Sequence, residues 1–162
     1  MKKRDFVQLL KNIFDDDFQI IRNLFLPLGM GVCVLDDWTI KVPRGVPSNF
    51  IYIQANLPNF VKLAVAIHEN AHYQCYKHKC GCLKRPCLRE RHAYIATLEE
   101  LLRRELACSL FREMWALAEM SKPKNYNRFW PHSRAAQSII NTSRIWKKCK
   151  TFLGDSFTPL HP

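Results

Sequence analysis

A chain of 162 residues, 48% apolar and 24% charged, is sized for one compact domain and carries enough large side chains for a core, which excludes a predominantly disordered protein. Its net charge of +11, from 25 Lys and Arg against 14 Asp and Glu, predicts attraction to acidic or phosphate-bearing surfaces. No window reaches about 18 uninterrupted apolar residues, and the MKKR start runs into Lys11, Asp15, Asp16 and Asp17 instead of a signal core, so a soluble, cytoplasmic protein without a membrane segment is expected.

In chain order, Phe6, Leu9, Leu10, Ile13 and Phe14 recur at spacings of three and four and predict an amphipathic helix over 5–14. The stretch 18–26 reads as a second short helical or apolar run ending at Pro27 and Gly29. GVCVLDDWTIKV then reads as two strands joined at Asp36 and Asp37, and FIYIQA, 50–55, as another, so that a small antiparallel sheet occupies 31–55. Pro58 sets up a helix over 59–75. A cysteine-rich basic loop, 76–87, leads into a long helix, 88–119, with Tyr94, Leu98, Leu101, Leu102, Leu106, Leu110, Met114 and Leu117 as its apolar stripe. The remainder, 120–162, is basic: no acidic residue falls between Met120 and Gly154, and a last helix is expected over 133–152. The fold class that results is α+β, mostly helical, with the sheet preceding the helix 59–75.

That helix carries His68-Glu69-Asn70-Ala71-His72. Histidines four apart project from one helical face and share a single metal ion, while the glutamate one step around reaches a metal-bound water without becoming a ligand. With 6 His in the chain, chance yields only about 0.01 such matches. A catalytic zinc keeps three protein ligands and one open position. Glu90 is the candidate third ligand, because steps 90, 94, 98 and 101 put it on the inward stripe of the following helix. His78 is the alternative: HENAHYQCYKH also fits HExxHxxGxxH, except that Cys75 stands where that pattern has the glycine that ends its helix. On the same counting, His92 points away from the stripe.

Four of the 7 cysteines crowd into one short stretch. Cys80, Cys82 and Cys87, with Cys75 or His78, are candidate ligands of a second, structural ion, with reduced thiols or local disulfides as the other readings, since CGC has one intervening residue where zinc knuckles have two.

Taken together, the strand IYIQANLP, the helix KLAVAIHENAH and the later ERHAYIATLEELL resemble the ImmA/IrrE-type metallopeptidases over about 50–102. The resemblance implies a zincin fold in a single domain, zinc on His68, His72 and Glu90, Glu69 as general base for a zinc-activated water, and a protein or peptide substrate in regulation of a virus or mobile element. The sequence departs from that family in having Asn70 and Ala71 between the histidines. The strand 50–55 is expected to be the edge on which an extended substrate adds, and Tyr73 and His92 are candidates for steadying the oxyanion.

A different class of function is also open: a nucleic-acid- or protein-binding module with a structural metal site, acting through the basic stretch 122–150. There Lys122, Lys124, Arg128, Arg134, Arg144, Lys147, Lys148 and Lys150 interleave with Tyr126, Phe129, Trp130 and Trp146, aromatics suited to stacking on bases or to packing in a core.

Overall fold

The structure is a computed structural model and describes residue 8 and residues 21–24, 31–34, 47–104 and 130–153. Of the helix expected over 5–14 only Gln8 is described, and it is helical; the second strand of the hairpin near 38–42, the segment 105–129 and the tail from 154 lie outside the described residues. The chain divides into two compact units, Met1–Gln74 and Cys75–Pro162.

In the first unit, β1 (Ile21–Leu24), β2 (Gly31–Val34) and β3 (Phe50–Gln54) form one sheet of order β1-β3-β2. β1 runs parallel to β3, with Ile21 opposite Ile51, and β2 runs antiparallel to it, with Cys33 opposite Ile51. Two expectations change here. The sheet is mixed and not purely antiparallel, and Ile21–Leu24, read as part of a short helical or apolar run, is a strand. Four residues, Ile-Arg-Asn-Leu, are too short to distinguish the two states; the hydrogen-bonding partner, some thirty positions away, decides.

β3 is the central strand. Its Phe-Ile-Tyr-Ile sequence is β-branched and aromatic throughout, and Ile51, Tyr52 and Ile53 are all buried, as expected of a strand covered on both faces. The Tyr52 hydroxyl donates to the Pro47 carbonyl at 2.9 Å, so its polar tip is satisfied. Having a partner on each side, β3 has no free edge, and it is not the strand on which a substrate could add.

After a turn closed by the Leu57 amide on the Gln54 carbonyl, α1 (Asn59–Lys77) begins, its first bond running from the Lys62 amide to the Pro58 carbonyl. The stretch Leu63–Ile67 is buried on all sides, anchoring the turns just before His68. The boundary between the two units falls within this unbroken helix.

In the second unit, α1 ends, a 3-10 turn (Gly81–Lys84) follows, and α2 (Pro86–Arg103) starts with proline in its first turn, where a missing amide costs nothing. α2 buries Glu90, Ala93, Tyr94, Thr97, Leu98 and Leu101, the expected stripe. It packs against α3 (Trp130–Thr142) and α4 (Arg144–Leu153), which bring Ala135, Ala136, Ile139, Ile145, Trp146 and Cys149 into the core. The last helix expected over 133–152 is therefore two helices. They break at Ser143, whose hydroxyl accepts from the Ile145 amide at 3.3 Å and so caps α4. No helix among the described residues is long and apolar enough to cross a membrane.

Candidate metal centre

His68 and His72 lie one turn apart on α1 and converge. Their Nε2 atoms are 3.1 Å apart, with ring centroids at 4.8 Å and planes at 84°. Without an ion, one Nε2–H donates to the other nitrogen. With one, two imidazoles at about 2.0–2.1 Å from a tetrahedral zinc would have their nitrogens roughly 3.3–3.4 Å apart, so the separation already suits a shared ion. His72 is buried, 4% exposed. His68 and Glu69 are half-buried, Glu69 one step around the helix from His68.

Glu90 sits in the second turn of α2 and is 6% exposed, a burial that a carboxylate tolerates only with partners. His132 Nδ1 of α3 lies 3.2 Å from its Oε2, and Arg89 Nε lies 3.8 Å from Oε1. Tyr94, one turn further along α2, places its hydroxyl 3.2 Å from the same His132 nitrogen. His68 and His72 in the first unit and Glu90 in the second each offer one ligand atom suited to a metal ion. Imidazoles and a carboxylate are donors that could hold a metal ion.

His78 is not in this group. It is exposed, just past the end of α1. In HExxHxxGxxH the glycine ends the helix early enough for the chain to turn the last histidine back; here α1 runs on through Cys75 to Lys77.

His132 was missed by the sequence reading. It lies 42 positions from Glu90, on a helix whose own pattern announces only a core face, and no local spacing connects the two.

A second group consists of Cys75, Cys80, Cys82 and His92, whose ligand atoms also lie within 4.8 Å of one another. The expectation of Cys87 as a member is corrected: Cys87 lies in the first turn of α2 and takes no part. His92, counted away from the inward stripe, is exposed as expected, yet it turns to the cysteines, with Nδ1 3.9 Å from Cys80 Sγ. The Cys82 thiol donates to Cys75 Sγ at 3.6 Å, and the Cys82 amide donates to Cys80 Sγ at 3.5 Å. Cys75, Cys80, Cys82, Cys87 and Cys149 are all free thiols, so the local-disulfide reading is not realised among the described residues. Burial, reinforced by the Cys82 thiol, pushes the Cys75 thiol up to about 12, whereas bonds from the Cys82 side chain and amide hold the Cys80 thiol below its ordinary range.

In the basic stretch, Arg134, Arg144, Lys147 and Lys148 are exposed, but Trp146 is 1% exposed and belongs to the core. It therefore offers no face to a base. Tyr126 and Phe129, the neighbouring aromatics, lie outside the described residues.

No family model, curated protein or solved structure matches the chain.

Proposed function

We propose that this chain is a zinc-dependent peptidase of the ImmA/IrrE type, with His68, His72 and Glu90 as the metal ligands and Glu69 as the general base. The observation that carries the proposal is the convergence of the His68 and His72 Nε2 atoms at 3.1 Å, and the buried carboxylate of Glu90 is the candidate third donor. A bound ion supplies Lewis acidity and a water acidic enough to lose its proton near neutral pH.

The residues divide the remaining work. Glu69, one residue from His68 and half-buried, takes the proton of the attacking water and passes it to the leaving amine. His132 positions the Glu90 carboxylate through Nδ1, whose proton lies between the carboxylate and the Tyr94 hydroxyl, each 3.2 Å away, an arrangement of the kind that keeps metal ligands aimed. His92 is better matched to the cysteine group than to an oxyanion, which withdraws its candidacy for that role.

The test compares wild-type protein with Glu69→Gln on a pool of unfolded protein substrates. The expected outcome is a loss of hydrolysis of roughly 10²–10⁴-fold with zinc content unchanged, and loss of both zinc and hydrolysis in His72→Ala. Hydrolysis that survives Glu69→Gln, or a zinc-loaded wild type that cleaves nothing in the pool, overturns the proposal.

A further inference from the structure

The segment joining α1 to α2 lacks the means by which loops are ordinarily held. From Tyr76 to Arg89 no described side chain is buried; His78, Lys79, Gly81, Lys84, Arg85 and Pro86 are all exposed, and Leu88 leaves 44% of its surface to solvent. The backbone is nonetheless closely specified. The Cys80 amide bonds the Cys75 carbonyl at 2.8 Å and the Lys79 amide bonds the Tyr76 carbonyl at 3.0 Å, the paired bonds of a Schellman motif, and Lys79 takes φ 50°. That motif ordinarily pairs two apolar side chains at its third-last helical and second following positions. Here those positions are Cys75 and Cys80.

The 3-10 turn then returns Cys82 to Cys75, and His92, in the second turn of α2, closes the group from the other side. Two of the six edges have the spacing of a coordination polyhedron, and all four ligand atoms lie within 4.8 Å of one another. A tetrahedral zinc with bonds of about 2.3 Å to sulfur and about 2.0–2.1 Å to nitrogen has S···S edges of roughly 3.8 Å and S···N edges of roughly 3.6 Å. The observed Cys75–Cys82 sulfur separation is 3.6 Å and the Cys80–His92 separation 3.9 Å. A disulfide would need about 2.05 Å.

We propose that Cys75, Cys80, Cys82 and His92 form a second zinc site, structural in kind, that clamps the turn between α1 and α2. Four protein ligands fill the tetrahedron and leave no open position, which distinguishes it from a three-ligand catalytic site. On binding, each of the three thiols releases its proton to solvent and becomes a thiolate ligand. His92 binds through Nδ1 in the tautomer that carries its proton on Nε2. Lys77, Lys79, Lys84 and Arg85, exposed on the same segment, supply positive charge against the single negative charge that three thiolates and one divalent ion leave behind. The site stands on its own residues and does not require the chain to be a peptidase.

The experiment uses the full chain, reduced, with Co2+ alone as a spectroscopic probe and Zn2+ for alkylation. Thiolate-to-cobalt charge-transfer absorption is expected in the wild type, in Cys87→Ser and in the His68→Ala, His72→Ala double variant. It is expected to vanish in Cys80→Ser with Cys82→Ser, and His92→Ala should weaken Co2+ binding by on the order of 10-fold or more. In wild-type protein, where no variant can misfold, Zn2+ should protect Cys80 and Cys82 from alkylation and leave the rate at Cys87 unchanged. Absence of the charge-transfer band in the reduced wild type overturns the site; so does its loss in Cys87→Ser, or alkylation of Cys80 at the same rate with and without Zn2+. Retention of the band in the double histidine variant separates this site from the proposed catalytic one, since either can then fail alone.

Discussion

Lys79 occupies the position just past the end of α1 with φ 50°, a left-handed conformation in which a side chain with a Cβ is strained and glycine is not. The strain is worth about 1–2 kcal/mol per residue, partly offset in any glycine variant by the greater freedom of the unfolded chain. Lys79→Gly is therefore expected to stabilise the protein by about 0.5–1 kcal/mol, read as a higher denaturation midpoint in chelator-treated protein. Destabilisation would show that the lysine side chain is needed at the turn. Gly81 illustrates the converse, since a Cβ there would meet nothing within 4 Å, so the glycine of CGC is not demanded by crowding. At this scale the legibility of the sequence was uneven. The approach of His68 to His72 and the inward place of Glu90 could be read from spacing alone, because helical geometry makes residues four apart neighbours wherever the helix lies. The end of α1 could not. Its stop residue is a lysine where glycine is the usual signal, and that helix end is what excludes His78 and delivers Cys80 to Cys75.

Among the elements, α2 shows how local charge and tertiary burial combine. Its inward face carries Glu90, Tyr94, Leu98 and Leu101, while its last turn is tied on the outside by Glu100, which accepts from Arg103 Nη2 at 2.7 Å and from Arg104 Nε at 2.6 Å. Partial burial pushes the Glu100 carboxyl up, but the bonds and charges of Arg103 and Arg104 outweigh it and hold the group below the ordinary carboxylate range. A carboxyl lowered in the folded state contributes stability that is present above its unfolded pKa and is lost as the pH falls through its folded pKa. The stability difference between wild type and Glu100→Gln is accordingly expected to be small at neutral pH, because the pair is solvent-screened, and to shrink further on acidification through that range. Thermal midpoints of both proteins against pH check this; a difference that grows in acid would contradict it. The stripe of α2 was legible because a period near 3.6 marks a half-buried helix from its own residues. β1 was not, because a strand of only four residues, two of them polar, takes its identity from β3, to which it pairs in parallel across a long connection. The break at Ser143 was also hidden: a serine between two helical stretches is a cap only once the backbone has turned there.

For the molecule as a whole, metal and stability are linked, since an ion that binds the folded chain and not the unfolded one stabilises by mass action. At about 1,000 times its dissociation constant the contribution is about 4 kcal/mol. A chelator is thus expected to lower the thermal midpoint, zinc to restore it and magnesium not to, because imidazole and thiolate are poor ligands for magnesium. An unchanged midpoint in calorimetry with and without chelator would mean that neither group holds an ion in the folded protein. The net charge of +11 leaves a basic surface on α3 and α4, where Arg134, Arg144, Lys147 and Lys148 face solvent while Trp146 fills the core. What the sequence by itself determined is therefore local: the histidine pair and its glutamate on one helix, the inward carboxylate of the next helix and the crowding of cysteines between them, all consequences of spacing along a regular backbone. Only the tertiary structure decided which groups meet across long separations. It placed His132 on Glu90, exchanged Cys87 for His92, and put β3 in the middle of its sheet, because such meetings depend on where separate elements pack and leave no periodic trace in the chain.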